Sequence, residues 1–274
     1  MATSPSVVCI TGASSGIGAA FARRLARDGY SLILHGRREG LLRGLAEELA
    51  RDHGIRADVI LADLGEPVGF RVLEERIGAT PDLSLLVNNA GYSTLKYFHE
   101  EPVDSQEALI RVHILAPVRL THAAIQVMRA RGGGAIINVS SVAGFLIGPG
   151  SATYCATKAY LINFTETLHL ELRGTGIHMQ ALCPGFTSTD FHKKLGYDTS
   201  GRAFKNFMSA DEVVEQSLDD LRRGKVVSIP GLRYKLVALG QRFVPRSLFY
   251  AIVETVQRRQ RHKGSGPLAN PGGK

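Results

Sequence analysis

The sequence predicts an α/β chain wound on both faces of one parallel sheet of about seven strands. Three observations predict it. Short apolar runs alternate with longer amphipathic stretches from residue 6 onward, the pattern of repeated β-α-β units. The runs are almost continuously apolar rather than alternating, as in strands covered by helices on both sides. A glycine-rich turn, Thr11–Gly18, joins the first run directly to the first amphipathic stretch. In order, the strands are expected at Val7–Thr11, Leu32–His35, Val59–Ala62, Leu85–Asn88, Ala135–Val139, His178–Cys183 and Lys225–Ile229. Helices are expected between them at Gly16–Arg27, Gly40–Asp52, Val68–Ile77, Asp104–Arg131, Thr153–Arg173 and Asp211–Arg223. With 274 residues, 44% hydrophobic and 21% charged, the chain suits one large domain with an ample core.

That domain is expected over residues 1–230, since Pro230 and Gly231 end the last strand and the composition then changes. From Gly231 onward nine Lys and Arg face a single acid, Glu254, while the 33 basic and 25 acidic residues of the whole chain leave 24 of each upstream. The basic character belongs to this appendage and not to the body. Leu232–Val244 and Ser247–Arg258 read as two amphipathic helices separated by Pro245, making a helical extension over 231–263. The Gly- and Pro-rich residues 264–274 read as a disordered tail. Three readings of the extension stand: a cap over a ligand pocket or neighbouring subunit, a peripheral contact with anionic lipid, or both. Nucleic acid is not expected as a partner, because no aromatic-rich binding motif accompanies the charge. The opening MATSPSVV has no basic segment followed by a long apolar one, so a cytoplasmic protein is expected, with peripheral membrane contact as the variant reading. Cys9, Cys155 and Cys183 are too few and too scattered for a disulfide framework, and no metal-ligand spacing occurs.

The chemistry-bearing residues cluster after the strands. TGASSGIG supplies Gly12, Ser14, Ser15, Gly16, Ile17 and Gly18 where a strand meets a helix N-terminus, a place where backbone amides can hold a pyrophosphate. Tyr154 and Lys158 are four apart in a predicted helix, so their side chains share one face and can converge on one ligand. Ser141 precedes the tyrosine by thirteen residues, at the end of the fifth strand. A phenol of pKa about 10 would have to fall by about 3 pH units to exchange protons near neutrality, and a nearby lysine cation is the means.

The spacing Gly12-x3-Gly16-x-Gly18, NNAG at Asn88–Gly91, Ser141, YCATK at Tyr154–Lys158 and PGFTST at Pro184–Thr189 together resemble the short-chain dehydrogenase/reductase family. The resemblance covers roughly residues 6–229 and implies a Rossmann-type fold, an enzyme, and hydride transfer between a nicotinamide cofactor and a carbonyl or alcohol. It implies that Tyr154 is the acid in reduction and the base in oxidation, that Lys158 also holds the nicotinamide ribose, and that Ser141 donates to the substrate oxygen. Cofactor contacts carry over to the glycine loop, to Asp63 and Leu64, to Asn89, Ala90 and Gly91, to Tyr154 and Lys158 themselves, and to Pro184, Gly185, Thr187 and Thr189. A homo-oligomer is expected from family habit.

Two positions qualify the resemblance. Where the family carries Asn in the long helix, this chain has His113. Pro117, four residues on, has no N–H to give the His113 carbonyl, which leaves that carbonyl free for the relay water the family is thought to place there. The expected function is an NADPH-dependent carbonyl reductase; the alternative is a cofactor-binding regulatory or scaffold protein impaired at His113. At the end of the second strand no acid is present to bind ribose hydroxyls. Arg37 and Arg38 stand there instead, suited to a 2′-phosphate and so to NADP(H) over NAD(H). The aromatics of residues 186–208 suggest a lid and an apolar substrate.

Overall fold

A computed structural model describes residues 6–94, 96–188, 207–248, 250–251 and 253–255. Its elements in order are β1 (Val7–Thr11), α1 (Gly16–Arg27), β2 (Ser31–Gly36), α2 (Glu39–His53), β3 (Ala57–Leu61), α3 (Pro67–Gly78) and β4 (Leu83–Asn88). There follow α4 (Val103–Ile110), α5 (Ala116–Arg131), β5 (Gly134–Val139), α6 (Ala152–Glu171), β6 (Ile177–Leu182), β7 (Thr187–Ser188), β8 (Met208–Ser209), α7 (Ala210–Arg222), β9 (Val227–Ser228) and α8 (Leu232–Phe243). The main sheet is parallel and seven-stranded in the order β3-β2-β1-β4-β5-β6-β9. From β1 the chain winds outward to β3 and then returns to β4, so the strand order reverses between β1 and β4. At that switch the loops from the two halves part and leave a crevice at the strands' C-terminal ends.

Both faces of the strands are apolar, and that is why the sheet is buried on both sides. Val8, Ile10, Leu32, Leu34, Leu85 and Val87 pack with Phe21 and Leu25 of α1, Leu42 and Leu49 of α2 and Val213 of α7. The intervening Cys9, Ile33 and Leu86 pack with Leu73 and Ile77 of α3 and Leu120 and Met128 of α5 on the opposite face. A polar ladder crosses the sheet centre. Asn88 Nδ2 donates to Asn138 Oδ1 (2.9 Å) and to Thr121 Oγ1 (3.1 Å), and Asn138 Nδ2 donates to Thr165 Oγ1 (2.9 Å). It joins α5 and α6 to neighbouring strands just below the crevice.

The long helix expected over Asp104–Arg131 is one helical rod, but it widens to a π turn at Arg111–Leu115, where the Ala116 N–H reaches back to the Arg111 carbonyl. Pro117 cannot supply the ordinary bond to His113, and a π turn is a common way to accommodate such an interruption. By length and mean hydropathy (1.3) the stretch Val103–Arg131 could cross a membrane; here α5 packs its apolar face into the core between α3 and β4. The last strand is shorter than the expected Lys225–Ile229 because the Lys225 N–H closes the turn after α7 onto the Asp220 carbonyl. Residues 189–206 of the expected lid, and the tail from 256, lie outside the described residues; the part of the second tail helix from Arg246 to Thr255 that is described is helical.

Candidate active site

The crevice holds a cleft of about 590 Å³ that runs from the glycine loop past Ser141, Tyr154 and Lys158 to Phe186. Its near end is built by backbone. Gly12 (φ +66°) and Gly16 (φ +56°) adopt left-handed conformations that turn the chain from β1 into α1. Asn89 clasps this turn, its Nδ2 donating to the carbonyls of Thr11 (2.9 Å) and Gly12 (3.2 Å), while the Thr11 hydroxyl accepts the N–H groups of Asn89 and Ala90. Gly18 lies behind the wall rather than on it: a Cβ there would stand 2.4 Å from the Gly12 carbonyl oxygen. The first turn of α1 carries no acid, and its N-cap, Ser15, makes no side-chain cap bond. A helix N-terminus in that state favours an anion, so this cradle fits the pyrophosphate of a dinucleotide.

Arg38 lies across the same loop. Its guanidinium donates to Ser14 Oγ (2.8 and 3.1 Å) and Ser15 Oγ (2.6 Å). Arg37 is more exposed and pairs with Asp63 at 3.0 Å. Burial works against the Asp63 charge, but the Gly65 N–H and Arg37 outweigh it and hold the carboxyl below the usual carboxylate range. Leu64, Ala90 and Gly91 complete this end.

Further along, Ser141 follows β5 and caps the 3₁₀ turn Val142–Phe145, its Oγ accepting the Ala143 N–H (3.1 Å) and bonding the Tyr154 phenol. Tyr154 and Lys158 project from one face of α6 as their spacing predicts. Lys158 is 5% exposed and donates to the Val139 carbonyl (2.9 Å), with Nζ 5.7 Å from the Tyr154 ring centre. Burial pushes Lys158 down to about 8. Burial likewise pushes Tyr154 up to about 12, against the Ser141 hydrogen bond. In the protein alone, then, desolvation outweighs the lowering of Tyr154 that the sequence reading expects from the lysine. A neutral phenol beside a serine hydroxyl can donate a proton to an oxygen placed between them.

The far end is apolar. Leu146, Ile147 and Phe186 line it, and Phe186 stacks on Phe207 at 5.1 Å. Tyr234 of α8 lies behind this wall: its hydroxyl donates to the Phe186 carbonyl (3.3 Å), and a Cβ on Gly185 would fall 2.3 Å from its ring. The extension therefore packs on the apolar end of the cleft. Pro184, Gly185 and Thr187 line the floor; Thr189 lies outside the described residues. Cys155 faces the cleft with its thiol raised by burial against a Gly148 N–H, whereas Cys9 and Cys183 are buried in the body. Sequence reasoning missed Leu146–Gly148, whose signal was the apolar run Phe145, Leu146 and Ile147 set between Gly144 and Gly148 just after Ser141.

His113 is not in the cleft wall. Its ring is buried between Tyr92 and Tyr154, edge-on to both at 6.0 and 5.7 Å. Nε2 accepts the Tyr92 N–H (3.1 Å) and Nδ1 meets Thr157 Oγ1 (3.0 Å). Among the described residues no cluster of metal-binding side chains occurs.

Residues 6–200 match the family profile described as short chain dehydrogenase. Sulfoacetaldehyde reductase 2 of Chromohalobacter salexigens is 40% identical over 68% of this chain and 74% of its own. A short-chain dehydrogenase of Sphingobium yanoikuyae, solved with NADPH, superposes with a TM-score of 0.79 at 34% identity over 86% of this chain and 94% of that one. The bulky-bulky ketone specific alcohol dehydrogenase of Comamonas testosteroni superposes with a TM-score of 0.76 at 30% identity over 98% of both chains.

Proposed function

The chain belongs to the short-chain dehydrogenase/reductase family and is a nicotinamide-dependent oxidoreductase, and on that premise we propose that it reduces bulky, apolar ketones with NADPH. The observation that carries the substrate class is the far end of the cleft, where Leu146, Ile147 and Phe186 offer apolar surface and no cation among the described residues. A small sulfonated aldehyde, as named for the Chromohalobacter relative, would need a positive group there; a large ketone, as named for the Comamonas relative, would not. Arg38, pointed across Ser14 and Ser15 with no carboxylate at the end of β2, supports the 2′-phosphate and so NADPH.

In this reading a bound nicotinamide supplies the hydride. The substrate oxygen lies between Ser141 and Tyr154; Ser141 donates a hydrogen bond to it, and Tyr154 transfers its proton as negative charge develops on that oxygen. Lys158 then stabilises the tyrosinate by Coulomb attraction and holds the ribose beside it. Tyr154 begins neutral because burial disfavours its charge, which suits the direction of reduction.

The extension acts as a cap, through Tyr234 on Gly185 and Phe186. A second role, contact with anionic lipid, is favoured by the exposed leucines 232, 236 and 239 on one face of α8 among Arg233 and Lys235. Exposed Val103, Ile110 and Leu115 along the α4–α5 rod support a homo-oligomer, and the protein is proposed to be cytoplasmic. The test of the main reading is oxidation of NADPH and NADH against bulky aryl ketones, 3-oxoacyl thioesters and a sulfonated aldehyde. Turnover should be NADPH-selective, fastest with bulky ketones, and reduced about 10²- to 10⁴-fold by Tyr154→Phe. A preference for the sulfonated aldehyde would overturn the substrate assignment.

A further inference from the structure

We propose that the His113 imidazole is a positioning residue for Tyr154, acting through Thr157, and that this pairing replaces rather than lacks the asparagine expected at its position. The inference rests on the reductase reading above, since Tyr154 matters only if it moves the proton.

The hydrogen bonds determine the tautomer. A backbone N–H can only donate, so the Tyr92 N–H requires a lone pair on His113 Nε2. A neutral imidazole then carries its proton on Nδ1, which donates to Thr157 Oγ1. The Thr157 hydroxyl in turn donates to the carbonyl of Tyr154 (2.9 Å). Each link is thus used in one direction, from the Tyr92 backbone to the Tyr154 backbone. Burial, with the Lys158 charge nearby, holds His113 neutral well below the usual histidine range, so the tautomer persists through neutral pH.

The chain joins two parts of the cleft that must keep their distance. One is the loop after β4, whose Asn89 and Ala90 clasp the glycine turn. The other is the first turn of α6, which carries Tyr154. Gly91 belongs to the same construction: a Cβ there would lie 2.9 Å from His113 Nε2. Thr157, between Tyr154 and Lys158 in sequence, is 2% exposed and has its hydroxyl occupied on both sides. An asparagine at 113 ends in a shorter, differently shaped carboxamide and does not span from the Tyr92 N–H to the Thr157 hydroxyl. Restoring the family residue is therefore expected to harm this protein.

The experiment compares wild type with His113→Asn, Thr157→Val, the double variant and Thr157→Ser, measuring kcat, KM and the pH dependence of kcat with the best ketone, well below each Tm. His113→Asn and Thr157→Val should each lower kcat about tenfold, with KM for ketone changed less than about threefold and the pH limb of Tyr154 displaced. The double variant should be no worse than either single one, because both break the same chain. Thr157→Ser, which keeps the hydroxyl, should recover most of the loss. A lowered Tm with unchanged kcat and pH limb, or additive losses in the double variant, would overturn the proposal. Nitrogen NMR of His113 in the wild-type protein gives an answer independent of turnover. Nδ1 protonated and Nε2 bare from pH 6 to 8 is expected; the opposite tautomer, or titration in that range, would refute the chain even if no substrate is found.

Discussion

Replacing Lys158 by methionine should make the cofactor-free protein more stable near neutral pH while destroying its activity. Lys158 is 5% exposed, and its pKa falls from the ordinary 10.5 to about 8. At 1.36 kcal/mol per pH unit, keeping that charge inside the fold costs about 3 kcal/mol wherever both folded and unfolded lysines are protonated. Methionine has similar reach and no charge, but it leaves the Val139 carbonyl without this donor, a loss of about 1 kcal/mol. The net gain at pH 7 is therefore about 2 kcal/mol, or a Tm higher by about 4–8 °C for a chain of this size. The sign with pH follows from linkage. Below pH 8 the penalty is complete. Between pH 8 and 10.5 the folded lysine is neutral while the unfolded one still binds a proton, so the wild type gains stability as pH rises. The advantage of Lys158→Met should shrink across that window and reverse near pH 10. Urea unfolding followed by circular dichroism at pH 7, 9 and 10 measures it. A variant that is less stable at pH 7, or a difference that does not move with pH, would show that the ammonium is not held in a desolvating site.

Three further outcomes are expected. Arg38→Ala should raise KM for NADPH about 10- to 100-fold, the range of one lost charge-assisted contact, with little change for NADH; Arg37→Ala should do less, because its guanidinium is already paired with Asp63 in solvent. Steady-state kinetics with both cofactors decides this, and equal losses for the two would remove the 2′-phosphate assignment. Gly185→Ala should cost about 1–3 kcal/mol by overpacking, since the new methyl meets the Tyr234 ring at 2.3 Å. Adding Tyr234→Ala should restore the Tm and raise KM for bulky ketones; a Gly185→Ala protein with unchanged Tm would show that α8 does not press on the cleft. Leu236→Ser with Leu239→Ser should abolish sedimentation with phosphatidylglycerol vesicles and leave turnover of a soluble ketone intact, whereas no sedimentation of the wild type would exclude the lipid role and lost turnover would leave α8 as a cap alone.

What could be read in the sequence was what depends on local spacing. Strands and helices came out within a few residues because period and apolarity are properties of short windows. Tyr154 and Lys158 could be paired because four residues make one helical face, and the glycine loop because its turn follows a strand directly. Pro117 likewise announced a disturbance at His113, which the π turn at Arg111–Leu115 realises. Contacts made across the fold left no such mark. Nothing in the sequence pairs His113 with Thr157, 44 residues away, or Lys158 with the carbonyl of Val139. The electrostatics were hidden for the same reason: the lysine, helped by the positive nicotinamide of the oxidised cofactor, was expected to lower the phenol, whereas in the protein alone the burial of the packed cleft raises it. The apolar end was only half visible, since Phe186 stood in the expected lid while Leu146 and Ile147 follow a strand end with no periodic signal.

The two ends of the cleft are supported differently, and that difference bears on how substrate choice can change. Tyr154 and Lys158 are held from behind, by Val139 and Ser140 beneath Lys158 and by Thr157 and His113 beneath Tyr154. None of these links touches the apolar end. That end is assembled from residues 146–148, 185–187 and the α8 helix, segments distant in sequence that meet only there. A change of side chain at Ile147 or Phe186 can therefore reshape the pocket without displacing the groups proposed to move the proton, and it should appear in KM and in the ranking of ketones before it appears in kcat. A change at Thr157 or His113 should show the reverse order, although neither residue reaches the substrate.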